Sequence, residues 1–191
     1  MGLVGDVDWA YSLAKDLLET KLPRRWAHTQ GVAEQAETLT CILGPETDTL
    51  IAASLLHDIG YAPDLVDTGM HQLDGARYLR DVVRAEDRLC RLVAYHSCAD
   101  NEARQRDLFD VLAAEFDQER PELAEALTYC DMTTDPNGRH LDVRDRLAEI
   151  HSRYGREHVV SRSIVAATPC IVSSVRAVEA ALSDVRQAGA G

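Results

Sequence analysis

No Cys-x-x-Cys pair occurs in this chain, and no stretch alternates apolar and polar residues convincingly enough for a strand. The first absence argues against a zinc knuckle. The odd, scattered set Cys41, Cys90, Cys98, Cys130 and Cys170 argues against a disulfide framework. Each cysteine reads instead as a small buried hydrophobe in a reducing compartment. The longest apolar run, 50–56, interrupted only by Ser54, is too short to cross a bilayer, and the acidic start, 1–8, lacks a basic-then-apolar signal pattern. A cytoplasmic protein is the expectation. Positive charge is also scarce: 20 Lys and Arg stand against 32 Asp and Glu, a net charge of −12. Such a surface repels phosphate backbones, so neither nucleic-acid nor anionic-membrane binding is expected. A small phosphorylated molecule stays compatible where local cations or metals outweigh the global field.

What is present is helical periodicity from end to end, in 191 residues that suit one all-α domain. Trp9, Leu13 and Leu17 mark a first helix that Pro23 stops. Val32, Ala36, Leu39 and Leu43 mark a second, ended by Gly44-Pro45. Residues 50–56 are apolar on nearly every face and predict a helix inside the core. A loop over 60–69 follows. Further helices are predicted over 71–84, 86–96, 102–119, 121–132, 143–154, 157–167 and 169–187, with a turn at Asp135-Pro136-Asn137-Gly138 and a frayed tail over 188–191. The stripe of the last helix, through Val175 and Val178, suits either the core or a homodimer contact.

Polar residues interrupt the apolar stripes at a few places. His28 shares a face with Val32, Ala36, Leu39 and Leu43, and His57-Asp58 ends the all-apolar helix. His71 shares a face with Gly75, Tyr78 and Val82. His96 continues Leu89, Leu92 and Val93, and Asp131 continues Ala124, Leu127 and Thr128. Six ionisable side chains thus point inward from five helices. Two carboxylates are hard to sustain in a core without a shared cation. Imidazole and carboxylate ligands without thiolate suit iron, manganese or zinc, and six ligands exceed what one tetrahedral zinc takes.

The order His28, His57-Asp58, Asp131 resembles the H…HD…D signature of the HD-domain superfamily of metal-dependent phosphohydrolases. Arg25-Trp26-Ala27-His28-Thr29 is similar to its first motif and Leu55-Leu56-His57-Asp58-Ile59-Gly60 to its second. Tyr129-Cys130-Asp131-Met132 is similar to its last. His71, ahead of Gly75-Ala76, and His96, after Tyr95, match the longer H…HD…H…H…D pattern of dinuclear members. Tyr61 stands where many members carry Lys. The resemblance implies an HD-domain helical bundle over 22–134, with an N-terminal helix over 1–21 packed on it and additional C-terminal helices over 135–191.

It also implies a divalent metal site of two ions, iron or manganese, with zinc, magnesium or nickel able to occupy it in purified protein. His28, His57, Asp58 and Asp131 would hold the first ion; Asp58 would bridge, and His71 and His96 would complete the second. The implied reaction is hydrolysis of a nucleotide or other small phosphate ester by a metal-activated water, with His57 and Asp58 as the catalytic pair. Arg25, one turn before His28, is a candidate substrate-binding residue, and Arg77 is another. The basic stretch Arg139, Arg144, Arg146, Arg153, Arg156 and Arg162 either lines the mouth of the site or balances the acidic helices, the second being the preferred reading. His140, His151 and His158 within it are not expected to be ligands. Two other readings stay open: a di-iron oxygenase of the same fold, such as myo-inositol oxygenase, and a non-catalytic metal-binding signalling module.

Overall fold

The computed structural model describes residues 6–189, so parts of the acidic start and of the expected frayed tail lie outside the described residues. Among these residues every regular element is helical, and the one β-type pairing is an isolated bridge between Thr134 and His140. Helix α1, Val7–Leu18, is capped by Asp6, whose carboxylate accepts from the Trp9 amide at 2.7 Å. Its innermost residues are Ala10, Ala14 and Leu18, with Leu13 and Leu17 flanking them. Small side chains there let α1 lie close on the central helix.

Helix α2, Pro23–Glu37, starts on a proline, whose fixed φ suits a first turn. The short α3, Thr40–Leu43, then leads into α4, Thr47–Leu56. Leu50, Ala52, Ala53 and Leu56 of α4 are fully buried, as an all-round apolar sequence requires, and α1, α2 and α9 pack around it. Helix α5, His71–Arg77, runs on into a π-helical turn, Tyr78–Val83, that Arg84 closes in the left-handed region.

Helix α6, Asp87–Tyr95, is followed by α7, Asp100–Gln105, and α8, Phe109–Glu115. The single helix expected over 102–119 is thus two helices and an extended segment. Asp107 takes a left-handed φ of 59° between them, a conformation Asp tolerates better than most residues. Helix α9, Pro121–Met132, ends where Thr133 and Thr134 donate hydroxyl hydrogens to the Tyr129 and Cys130 carbonyls.

Helix α10, Val143–Tyr154, is capped by Asp142, and α11, Val159–Ala188, by His158. The two helices expected on either side of Pro169 are one. Pro169 and Val165 both lie on the solvent side, where water can take the hydrogen bond that proline removes. By length and composition α11 is long and apolar enough to cross a membrane, which splitting it at Pro169 concealed. Its stripe Ala167, Ile171, Val175 and Val178 is buried in the core, with α7, α9 and α10 as neighbours.

The cysteines depart from expectation. Cys98 and Cys170 form a disulfide across 72 residues of sequence, and Cys41 is exposed; only Cys90 and Cys130 are buried thiols. The bridge ties α11 to the turn after α6, a proximity that only the tertiary fold creates. Closing a loop of that length restricts the unfolded chain by about 4 kcal/mol, so reduction should lower the melting temperature by about 10 °C. Calorimetry with and without a dithiol reductant checks this, with Cys170→Ser as the variant that should no longer respond.

Candidate metal centre

Five helices deliver six side chains to one buried point. His28 projects from the middle of α2, His57 and Asp58 from the end of α4, His71 from the start of α5, His96 from the end of α6 and Asp131 from the last turn of α9. None of the six is more than 9% exposed.

Close backbone approaches set these positions. Gly31 of α2 meets Gly138 so tightly that a Cβ on Gly31 would stand 2.3 Å from the Gly138 oxygen. That contact seats the 135–139 turn against α2, and the Asp135 carbonyl then lies 3.0 Å from His28 Nδ1. Gly60 performs the matching task for His71: a Cβ there would stand 1.9 Å from the His71 carbonyl oxygen. The loop after Gly60 is tied down by the buried Asp74 carboxylate, which accepts from the amides of Asp67, Thr68 and Gly69 and from the Thr68 hydroxyl.

The imidazoles are oriented by carbonyls behind them. Nδ1 of His28, His57 and His96 lies 3.0, 2.6 and 2.7 Å from the oxygens of Asp135, Ser54 and Val93. A carbonyl only accepts, so each Nδ1 carries the proton and each Nε2 faces the centre. There, His28 Nε2 lies 3.0 Å from Asp131 Oδ1, and His57 Nε2 lies 3.3 Å from Asp58 Oδ2. The other Asp58 oxygen faces His71 Nε2 at 3.4 Å, and the Nε2 atoms of His71 and His96 are 3.1 Å apart. Asp58 therefore stands between two halves of the cluster, with one oxygen toward each.

Charge in this cluster is balanced locally. Burial opposes ionisation of Asp58, yet Arg25, and behind it His57 and His71, hold its carboxyl well below the usual carboxylate range. Burial likewise opposes ionisation of Asp131, but the adjacent His28, aided by His57 and Arg146, keeps it strongly acidic. Burial pushes His71 well below the ordinary imidazole value despite Asp58, and burial with the neighbouring His57 takes His96 down to about 4. For His57 burial lowers, but the two carboxylates prevail and raise it. His71 and His96 are thus neutral at neutral pH and carry lone pairs able to bind a cation.

The donor set fits a metal ion. Ligand atoms of His28, His57 and Asp131, and those of His57, Asp58 and His96, lie within 4.8 Å of one another. His57 Nε2 is buried and has no hydrogen-bond partner, and a bound ion would satisfy it. Imidazole and carboxylate oxygen without thiolate is the chemistry of iron, manganese or zinc.

A cleft opens on Asp58, His71, His96 and Asp131. Arg25 lies in it, its Nη1 donating to Asp58 Oδ2 at 2.5 Å and its guanidinium 3.8 Å from the centroid of the Tyr61 ring. Tyr61 stacks in turn on His71, ring centroids 4.0 Å apart. Arg77 is elsewhere: it pairs with Glu115 at 2.5 Å and with Asp67, outside the cleft. Its place one turn after His71 misled because α5 turns that face toward α8.

Arg146 and Arg153 line the cleft, so for these two of the basic stretch the less favoured reading, a place at the mouth of the site, is the one the structure supports. Arg146 is 4% exposed and reaches to 3.8 Å from Asp131. Its signal was legible: Val143, Arg146, Leu147 and Ile150 share one helical stripe. Ser97 was invisible in the pattern; it donates to Asp131 from a left-handed turn just after His96. His158, in the same basic stretch, serves as the cap of α11.

A family model described as HD domain matches residues 25–135 of the chain. No curated protein and no solved structure matches it.

Proposed function

The chain belongs to the HD domain family, and on that footing we propose that it is a metal-dependent phosphohydrolase of a nucleotide or other small phosphate ester, acting at a dinuclear site. The observation that carries this reading is the adjacency of two chemistries. A buried cluster of four imidazoles and two carboxylates opens directly into a cleft walled by Arg25, Arg146 and Arg153. Guanidiniums beside a cation site suit a phosphoryl group, and they have no evident use for a neutral polyol.

In this proposal His28, His57, Asp58 and Asp131 hold one ion, and Asp58, His71 and His96 the other. When bound, such ions neutralise phosphoryl charge and make a bound water acidic enough to yield hydroxide near neutral pH. The chain's own residues do the rest. Carbonyls of Asp135, Ser54 and Val93 keep His28, His57 and His96 aimed inward. Ser97 holds the free oxygen of Asp131. Arg25, stacked on Tyr61, moves from Asp58 to a phosphoryl oxygen as substrate arrives. Ile150, Val160 and Ile164 supply an apolar wall that keeps bulk water from the organic group.

The test is hydrolysis by manganese-loaded protein of an aryl phosphodiester, an aryl monoester and a nucleotide panel. Turnover is expected with at least one of them, and Arg25→Ala should cut kcat/KM by about 100-fold, the scale of losing one charge-aligned donor. Oxygen uptake with a polyol, and no phosphate release from the panel, would instead favour the oxygenase reading.

A further inference from the structure

A second cleft lies against the back of the site, between the start of α2, the 135–139 turn and α10. Lys21, Arg24, Arg25, Arg146 and Arg153 line it and no carboxylate does, in a chain whose net charge is −12. Nearby acids only partly offset these cations. Lys21 pairs with Asp64 and Arg25 with Asp58, while Arg146 and Arg153 share Glu149 and Arg146 also lies 3.8 Å from Asp131. Arg24 forms no ion pair among the described residues.

Two further features point to an anion. Arg146 is 4% exposed, yet its Nε is buried without a hydrogen-bond partner. The start of α2 also has no side-chain cap, and its first helical amide bond is made by Trp26 to Leu22. The Arg24 and Arg25 amides therefore have no acceptor within the helix and stand at its positive end.

Arg25, Arg146 and Arg153 line both clefts, so the two form one guanidinium ridge with a basin on each side. A single phosphoryl group at the metal side would engage the ridge and leave Arg24 and the α2 amides with nothing to bind. We propose that the second cleft is a subsite for another phosphoryl group of the same substrate, which is therefore a phosphoanhydride or a bisphosphate. This deepens the phosphohydrolase reading and rests on it.

The experiment titrates manganese-loaded full-length protein with orthophosphate and with pyrophosphate, each as its manganese complex. Linking two anions that occupy adjacent basins should make pyrophosphate bind at least about tenfold tighter than orthophosphate. Arg24→Glu, an exposed position, should bring that ratio to within about threefold, whereas Lys15→Glu on α1 should leave it as in wild type. Equal affinities in wild type, or a ratio that Arg24→Glu does not move, would overturn the second subsite alone. Failure of either anion to bind wild type would contradict the phosphohydrolase reading as well.

Discussion

Asp58→Asn should abolish turnover, lowering kcat by about 1,000-fold or more, and should strip metal from the protein. Asp58 is the residue the rest of the cluster shares: one oxygen faces His57 and Arg25 and the other faces His71. The amide keeps the shape and removes the charge, so the expected loss reflects coordination rather than packing. Removing the carboxylate also leaves Arg25 beside a neutral amide in a site it shares with buried imidazoles. Metal analysis together with phosphate release on the same preparation checks the result. Wild-type metal content in Asp58→Asn would mean that the ions sit elsewhere.

Gly60→Ala is the change expected to cost most in stability for a single added carbon. Its Cβ would meet the His71 oxygen at 1.9 Å and the Gly75 nitrogen at 2.7 Å, both backbone atoms that cannot turn aside. The first turn of α5 must shift, and the expected penalty is about 3 kcal/mol, at the upper end for overpacking. His71 moves with that turn, so the half of the cluster formed with His96 should weaken while His28 and Asp131 keep their places. Urea unfolding reads the first effect, and metal affinity reads the second. Unchanged stability would show that the approach of the 59–61 turn to α5 is looser than these distances require.

The contrast between the two glycine contacts and the six clustered side chains shows what a one-dimensional pattern can carry. His28, His57, Asp58, His96 and Asp131 were legible because each breaks or ends an apolar helical stripe, whereas the stripe assigned to His71 fails at Val82, which is exposed because the helix turns π-helical from Tyr78. Helical spacing determines which side of a helix faces the core. The all-round apolar 50–56 segment likewise marked α4 as central, since no other environment suits it. Arg146 carried the same signal on the stripe of Val143 and Ile150, but the basic residues around it masked that signal.

Other features depend on where distant segments meet. The Cys98–Cys170 bridge joins positions 72 residues apart, and no local spacing encodes that meeting. Ser97 reaches Asp131 only because two successive residues, Ser97 and Cys98, adopt left-handed φ values of 52° and 58° without a glycine to advertise the turn. Pro169 suggested a helix end, but exposure to solvent lets α11 continue through it. Arg77 shows the reverse error: a basic residue one turn from a ligand is drawn away by Glu115 of a helix whose position the spacing could not reveal.

The most direct test of the six-ligand centre is the number of metal ions per chain in protein purified without air, for wild type, His71→Ala and His96→Ala. Two iron or manganese ions in wild type, falling to about one in either variant, is the expected result. Metal-free wild type that takes up neither iron nor manganese on reconstitution would contradict it.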